Sequence, residues 1–334
     1  MELMNYFSRF KNNPFIIAEI GSNYDQDFNK LKKLIIKSKN AGANAVKIQM
    51  FDSFALYPDK KSLSYKAFKS VEFNKKWFSK AQDFCKKNKI DLFASSFDKK
   101  STEFLIKHKV NIIKFASSEA EKLSDIIFAA KFNKPIIFST GMSELRDIVN
   151  VVDIFQRIEN KNLCLMHCSA LYPPRDNELN LLSIEFLKKT FNIPVGFSDH
   201  TKGSEAASVA VGLGATIFEK HITLDKNSNG PDHFYASEPD EFKDYVDKVK
   251  RSFKMKGKIK NIIFPERVKK ATRRRSLYWK NNLEKNSIIK YSDFYIKENS
   301  FLGIPVLYAE NIVGQKILKK VKKNSPINLS NLKK

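Results

Sequence analysis

The sequence predicts a (β/α)8 barrel followed by a small β-rich domain, and three observations carry this prediction. Eight short apolar runs alternate with eight amphipathic helical stretches before about residue 260. The apolar runs are nearly continuous, as in parallel strands whose two faces are both buried. After about residue 260, short β-like segments are separated by turn residues. Eight units at this spacing favour a closed barrel over an open doubly wound sheet.

Each predicted strand precedes its helix in chain order. The first four pairs are Phe15–Ile20 with Phe28–Ala41, Ala45–Met50 with Lys75–Lys87, Asp91–Ser95 with Lys100–Lys107, and Ile112–Phe115 with Leu123–Lys131. The last four pairs are Pro135–Ser139 with Ser143–Ile158, Leu163–His167 with Leu181–Thr190, Pro194–Ser198 with Gly203–Leu213, and Thr216–His221 with Pro239–Phe253. Ser124-Asp125 and Ser143-Glu144 are expected helix-start signals, because such side chains cap free backbone N–H groups.

The chain is therefore expected to have a barrel domain over 1–260, a linker over 261–275 and a strand-rich domain over 276–334. Segment 265–334 holds 17 basic and 5 acidic residues, which is half of the net charge of +24. That charge permits an anionic substrate or a nucleic acid as partner. Most of it is lysine spread through the chain, which favours compositional drift over a nucleic-acid surface.

Composition excludes several protein classes. Of the 334 residues, 42% are hydrophobic, enough for a large core. Mean hydropathy is −0.40 and the chain has no long apolar run, so we expect no membrane-spanning helix and no secretory signal. The three cysteines cannot form a disulfide framework, and a cytoplasmic location is expected. Core packing is the expected role of Cys85 and Cys164.

Polar residues recur at the end of every predicted strand, where barrel enzymes place their active sites. In order they are Glu19; Lys47 and Gln49; Ser95 and Ser96; Lys114, Ser117, Ser118 and Glu119; Ser139 and Thr140; His167, Cys168 and Ser169; Ser198, Asp199 and His200; and Glu219, Lys220 and His221, with Asp232 and His233 in the next loop. A single lysine there is usually solvated, and a single histidine is usually structural. Recurrence on all eight strands indicates a catalytic mouth.

This set of side chains suits particular ligands. Two inward-facing lysines with several hydroxyls suit a small molecule that bears phosphate and carboxylate. His200 and His221, from adjacent strands, can share one divalent ion that keeps open coordination positions, as in catalytic sites.

Eight ordered motifs make the chain resemble the sialic acid synthase family, which comprises N-acetylneuraminate, legionaminate and pseudaminate synthases. They are IIAEIGSNYDQD, AGANAVKIQMF, KFASSE, PIIFSTGM, LMHCSALYP, VGFSDHT, IFEKHIT and GPDHFYASEPDEF. The stretch from RRSLYW to SPINLSNL resembles the antifreeze-like (SAF) domain of that family.

The resemblance implies condensation of phosphoenolpyruvate with an open-chain N-acylated amino sugar, with release of phosphate. Mn²⁺, or Mg²⁺ or another divalent ion, would be held by His200 and His221 and would polarise the sugar aldehyde. The implied phosphoenolpyruvate ligands are Lys47, Gln49, Ser95, Lys114, Ser117, Ser139 and Ser198. Glu119 would activate the water that adds at C2. Glu19, Tyr172 and Asp232 would lie at the sugar, and Glu19, Glu119 and Lys114 form the expected catalytic set.

The resemblance also implies a homodimer in which the C-terminal domain reaches the partner's barrel and offers a loop arginine to the sugar's N-acyl group. In this sequence that loop reads Lys297-Glu298-Asn299, without arginine. Ala170 follows His167-Cys168-Ser169, where the family often has asparagine. The metal and phosphoenolpyruvate half is therefore intact and the sugar half is altered, which leaves the acceptor open.

Two other functions remain open at this stage. One is a phosphoenolpyruvate-condensing synthase with another acceptor, such as a phosphorylated sugar. The other is a basic nucleic-acid-binding protein, whose binding would fall steeply with salt. The sequence has no aromatic stacking motif of the kind that RNA modules use.

Overall fold

In the computed structural model, eight parallel strands close into a barrel within residues 5–257, and each strand pairs with its sequence neighbour, with β8 pairing with β1. The strands are β1 (Phe15–Gly21), β2 (Ala45–Met50), β3 (Asp91–Ser96), β4 (Ile113–Phe115), β5 (Ile136–Ser139), β6 (Leu163–Cys168), β7 (Val195–Asp199) and β8 (Ile217–His221). The predicted (β/α)8 barrel is confirmed, and each strand boundary lies within two residues of the predicted one.

Helices follow the strands on the outside of the barrel. They are α1 (Phe28–Ala41), α2 (Ser53–Leu56), α3 (Leu63–Val71), α4 (Phe78–Lys87), α5 (Lys99–Lys107), α6 (Leu123–Ala130), α7 (Leu145–Arg157), α8 (Leu182–Phe191), α9 (Glu205–Leu213) and α10 (Pro239–Lys256). Short 3₁₀ turns occur at Tyr6–Phe10, Lys75–Trp77, Ser117–Glu119 and Asp176–Glu178. None of the helices that the structure describes is long and apolar enough to cross a membrane.

Two local expectations were incomplete or wrong. Helices α2 and α3 were not predicted; α3 buries none of its residues, so it leaves no core-facing signal in the sequence. The Ser124-Asp125 start signal was incomplete: it falls in the first turn of α6, which begins at Leu123 as predicted, but the cap position is held by Lys122, which makes no side-chain cap bond. At α7 the cap is Glu144, whose backbone N–H donates to Asp147 Oδ2 at 2.8 Å.

The inside of the barrel has an apolar floor. In β1, Phe15 and Ile17 pack inward, while Ile16 and Ala18 belong to the layer between strands and helices. The inward cluster is sealed by Phe7 from the N-terminal 3₁₀ turn. Continuing the alternation of β1, the next inward residue toward the carboxyl end is Glu19. The floor therefore shields from water, on one side, any polar group that the upper strands place above it.

The structure describes residues 5–257, 265–266, 269, 273–298, 300 and 302–332. The chain divides into two units, residues 1–257 and 258–334. Much of the expected linker over 261–275 lies outside the described residues.

The described part of the second unit pairs β9 (Ser276–Trp279) with β10 (Phe294–Lys297) antiparallel. Isolated bridges such as Leu283 with Val321 extend this small sheet. Short helical segments lie at Tyr291–Asp293, Val306–Tyr308, α11 (Ala309–Ile312) and Leu329–Asn331. A separate core, centred on Leu277, Trp279 and Ile317, fills the unit. Its assignment to the antifreeze-like domain type stays a prediction.

Candidate functional site

Strand register brings the predicted polar residues side by side in the upper half of the barrel. Glu19 pairs with Lys47 on one side and with His221 on the other. Ser95 stands beside Lys114. Since all these strands are parallel and closed, one ring of polar side chains lies directly above the apolar floor.

Four charged side chains form the middle of this ring, and we call them the central network: Glu19, Lys47, Lys114 and Glu219. The Lys47 Nζ lies 2.7 Å from Glu19 Oε2 and 3.6 Å from Glu219 Oε1. The Lys114 Nζ lies 2.6 Å from the same Glu219 oxygen. All four residues are at most 4% exposed, so their charges are compensated by one another rather than by water.

Neutral side chains complete the central network. The Lys47 ammonium donates to Ser95 Oγ at 2.7 Å, and the Ser198 hydroxyl donates to Glu219 Oε1 at 3.1 Å. The Gln49 amide donates to Glu19 Oε1 at 3.3 Å. These contacts restrain the side chains of Lys47, Glu219 and Glu19, respectively, within the mouth of the barrel.

The two glutamates of the central network have opposite proton affinities. Burial raises the pKa of Glu19 to about 7 and outweighs the lowering effect of the Lys47 ammonium. Burial also acts upward on Glu219, but the ammonium groups of Lys114 and Lys47 outweigh it and hold the pKa of Glu219 well below its ordinary value. Glu219 is therefore a fixed anion near neutral pH, and Glu19 can exchange a proton there.

Among the buried oxygens of the ring, Ser139 Oγ and Glu219 Oε2 make no hydrogen bond to a nitrogen or oxygen of any described residue. Orphaned buried oxygens are costly unless a water or a ligand satisfies them. Ser139 ends β5 and is 3% exposed. Its hydroxyl lies beside the Cys168 thiol, and a polar ligand could satisfy it.

The two histidines lie together beside the central network. Their ring centroids are 5.6 Å apart, and the Tyr172 ring lies 4.3 Å from that of His200. His200 Nδ1 donates to the Ser169 carbonyl at 2.8 Å, which leaves the lone pair on Nε2, 3.2 Å from Ser198 Oγ. Burial lowers the pKa of His200 to about 3 and that of His221 to about 4. Both rings are therefore neutral, as metal ligation requires.

The loop after β8 brings Asp232 back to the mouth. Its carboxylate accepts from Ser22 Oγ at 3.1 Å and from the Tyr235 hydroxyl at 2.9 Å. The same Tyr235 hydroxyl lies 3.4 Å from His221 Nδ1. Gly21 has φ +54°, and a side chain there would start 2.8 Å from Asp232 Oδ2. Glycine at this position leaves room for the Asp232 carboxylate beside the end of β1.

Not every predicted residue joins this site through a contact. Glu119 is buried but pairs with Lys122 at 2.8 Å and with the Ser118 hydroxyl at 3.0 Å. Burial raises the pKa of Glu119. Ser117 is half-buried in the turn after β4, next to the mouth. Lys47 and Lys114 thus contact other members of the central network, whereas the contacts of Glu119 are to Lys122 and Ser118.

Two residues of the site were missed by sequence analysis: Glu219 and Tyr235. Glu219 was noted at a strand end but was given no role. Its position two residues before His221 puts both side chains on one face of β8, a signal that could have identified it. Tyr235 lies in an irregular loop, and no periodic pattern points to it.

The donors present fit a divalent ion with open coordination positions. His200 and His221 are neutral and adjacent, and their neighbours Tyr172 and Tyr235 wall the space around them. Within the described residues, no group of three or more His, Cys, Asp or Glu side chains could hold a metal. An ion here would accordingly have two protein imidazoles and keep further positions for water or substrate.

Comparisons with known proteins identify relatives of this chain. A family model described as the NeuB family matches residues 34–261. The N,N'-diacetyllegionaminic acid synthase of Campylobacter jejuni is 33% identical over 334 residues, covering 93% of this chain and 98% of that protein. The pseudaminic acid synthase of the same organism is 32% identical over 321 residues, covering 92% of this chain and 93% of that protein.

A solved structure is similar as well. The N-acetylneuraminic acid (sialic acid) synthetase of Leptospira borgpetersenii, crystallised with citrate, superposes with a TM-score of 0.73 at 33% identity. The match covers 77% of this chain and 90% of that one.

Removal of one lysine from the central network should be costly. In Lys114→Met, Glu219 loses its closest counter-charge in a dry environment, and we expect the free energy of unfolding to fall by about 3 kcal/mol. Lys69→Met is the matched control, because Lys69 is 54% exposed and pairs with Glu72 on the surface; its cost should stay below about 0.5 kcal/mol. Urea denaturation measures both values, and equal costs would contradict the buried network.

Proposed function

The chain belongs to the NeuB family, and from this premise we propose that it joins phosphoenolpyruvate to an open-chain N-acylated amino sugar. The reaction forms a carbon–carbon bond between C3 of phosphoenolpyruvate and the aldehyde carbon of the sugar. One water is consumed, phosphate leaves, and a nine-carbon 2-keto acid is formed. The observation that carries the proposal is the central network, which buries two ammonium groups at the bottom of the mouth.

The two lysines suit the anionic partner. Phosphoenolpyruvate carries a phosphate and a carboxylate, and Lys47 and Lys114 supply two ammonium groups to bind them. Each ammonium group is held in place by a polar neighbour, Lys47 by Ser95 and Lys114 by Glu219. The free Ser139 hydroxyl adds a donor on β5. We propose that these groups, with Gln49, Ser95, Ser117 and Ser198, hold phosphoenolpyruvate above the apolar floor.

The imidazole pair suits the electrophilic partner. We propose that His200 and His221 hold Mn²⁺ or a similar divalent ion, which would supply Lewis-acid activation of the sugar aldehyde when bound. Ser198 lies between the two halves of the site, since it contacts both His200 and Glu219. The reacting carbons of the two substrates would thus meet over β7 and β8.

We propose one glutamate for each of the two proton transfers in the reaction. The aldehyde oxygen becomes a hydroxyl and needs a proton, and Glu19, with a pKa of about 7, can donate it near neutral pH. The water that adds at C2 must lose a proton, and we propose Glu119 as the group that orients it. Asp232 and Tyr172 stand at the open side of the imidazole pair, where they can contact the sugar.

The acceptor is proposed only as a class. Relatives named as legionaminic and pseudaminic acid synthases match at nearly equal identity, so similarity does not choose between their sugars. Phosphoenolpyruvate-dependent phosphate release, measured with Mn²⁺ across a panel of N-acylated amino sugars, tests the function. If phosphate is released only with a phosphorylated sugar, the acceptor is a phosphorylated sugar and not an N-acylated amino sugar. If no phosphate is released and the protein binds nucleic acid in a salt-sensitive manner, the proposed function is wrong and the nucleic-acid-binding alternative takes its place.

Loss of either imidazole should abolish turnover without unfolding the barrel. We expect His200→Ala and His221→Ala each to lower kcat by at least about 10²-fold, because the aldehyde loses its activation. Equilibrium dialysis should show loss of bound Mn²⁺ in both variants. His108→Ala is the control, since His108 stacks on Phe104 at the end of α5. Full activity in excess chelator would remove the ion from the mechanism.

The pH profile should report Glu19. Its carboxyl is protonated below a pKa of about 7 and loses that proton as pH rises, so kcat/KM for the sugar should fall through neutral pH. Glu19→Gln keeps the size of the side chain but cannot transfer a proton, so its profile should be slow and flat in this range. An unchanged descending limb in Glu19→Gln would assign the limb to another group.

We also propose a homodimer in which the C-terminal unit of one chain covers the mouth of the other, as the resemblance implies. A cover is chemically useful because condensation competes with water. The unit exposes Leu302, Leu307 and Tyr308, which a partner could bury. Residues near 297–305 would then approach the partner's Asp232 and the partner's His221; of this segment, residues 299 and 301 lie outside the described residues. A cytoplasmic location is proposed too, supported by three free buried thiols.

Shortening the chain tests the cover. Full-length protein should sediment as a dimer, and a chain ending at Gly257 should fold and bind Mn²⁺ but show a sugar KM raised by at least about tenfold. Circular dichroism checks the fold of the shortened chain. A fully active monomer, or a shortened chain as active as the whole, would contradict the proposal.

A further inference from the structure

A buried histidine outside the proposed reaction bridges two loops of the mouth. His233 is 2% exposed. Its Nε2 lies 2.8 Å from Asp25 Oδ1, and its Nδ1 lies 2.7 Å from Thr223 Oγ1. A carboxylate only accepts, so Nε2 donates to Asp25. We call Asp25, His233 and Thr223 the loop bridge.

The loop bridge joins segments that are far apart in sequence. Asp25 lies between β1 and α1, with its backbone at φ +51°. His233 lies in the loop between β8 and α10, and Thr223 lies two residues after β8. Gly230, at φ +155°, packs on the imidazole, since a side chain there would start 2.7 Å from the ring. The ring is therefore hydrogen-bonded through both of its nitrogens and packed against Gly230.

The bridge has a direct consequence for the mouth. Asp232, the neighbour of His233, makes its own contacts to Ser22 and Tyr235. Ser22 and Asp25 belong to one loop, and Asp232 and His233 belong to the other. Two contacts thus join the loops, one from Asp232 to Ser22 and one from His233 to Asp25, and both restrain the position of the Asp232 carboxylate.

A hydroxyl, an imidazole and a carboxylate in series also suggest nucleophilic catalysis. The surroundings of Thr223 argue against it. Thr223 is fully buried, and its Oγ1 already accepts from the Asp225 backbone N–H at 3.2 Å. A hydroxyl without access to a substrate cannot attack one, so the chain of contacts is structural in kind.

We propose that His233 is a positioning residue for the sugar acceptor: it locks the β8–α10 loop to the β1–α1 loop and so holds Asp232 at the sugar. This inference rests on the proposed function, because it assigns Asp232 to the sugar half of the site. The phosphoenolpyruvate half should not depend on the bridge, since none of its lysines contacts the loop bridge.

The test uses His233→Ala in the full-length chain, with His108→Ala as a histidine control elsewhere in the barrel. Hydrogen exchange should rise at least about tenfold in peptides covering 20–30 and 222–236 and stay unchanged in the other strands. In steady-state kinetics the sugar KM should rise roughly 10- to 100-fold, as expected for a displaced contact, while the phosphoenolpyruvate KM changes less than about twofold. Added imidazole should restore part of the sugar KM.

Two results would overturn the inference. Unchanged exchange in both loops would overturn the bridge, and an equal rise of both KM values would overturn its restriction to the sugar. If His233→Ala does not fold, Asp25→Ala removes the other end of the contact at a partly exposed site and should give the same split. If the wild-type protein releases no phosphate with any amino sugar, the proposed function fails, and the exchange measurement still decides whether the bridge exists.

Discussion

Two ammonium groups buried inside a protein barrel need anionic partners close by, because water cannot solvate them there. Lys47 and Lys114 meet this condition through Glu19 and Glu219, at 2.7 and 2.6 Å. A buried ion pair is weak evidence for stability, because desolvation offsets most of the attraction. A site that places two such pairs above an apolar floor therefore points to ligand binding, and an anionic substrate can replace a carboxylate as the counter-charge.

The rest of the mouth follows from this arrangement. The lysines keep Glu219 ionised, and Glu219 accepts from Ser198, whose hydroxyl also contacts His200. Burial on the same face keeps both imidazoles neutral, so the chain offers a cation pair and a pair of neutral imidazoles side by side. Glu19, beside the same Lys47, is left with the higher pKa. One electrostatic network thus gives two neighbouring glutamates opposite proton affinities.

Much of this could be predicted from the sequence, for identifiable reasons. Strand positions were predictable because strands buried on both faces read as continuous apolar runs, and the polar residue ending each run marked the mouth. The pairing of Lys114 with Glu219 was not predictable, since those residues are 105 positions apart and meet only through barrel closure. Helix α3 was missed because it buries nothing. The loop contacts of Tyr235 and His233 follow no periodic pattern in the sequence, so they could be recognised only in the folded structure.

The most direct test of the account is a crystal structure of the full-length protein with phosphoenolpyruvate and Mn²⁺. The account predicts the phosphate and carboxylate of phosphoenolpyruvate within hydrogen-bond distance of Lys47, Lys114 and Ser139, with the ion ligated by His200 and His221. Phosphoenolpyruvate bound away from the two lysines, or an ion ligated elsewhere while both imidazoles stay free, would contradict it.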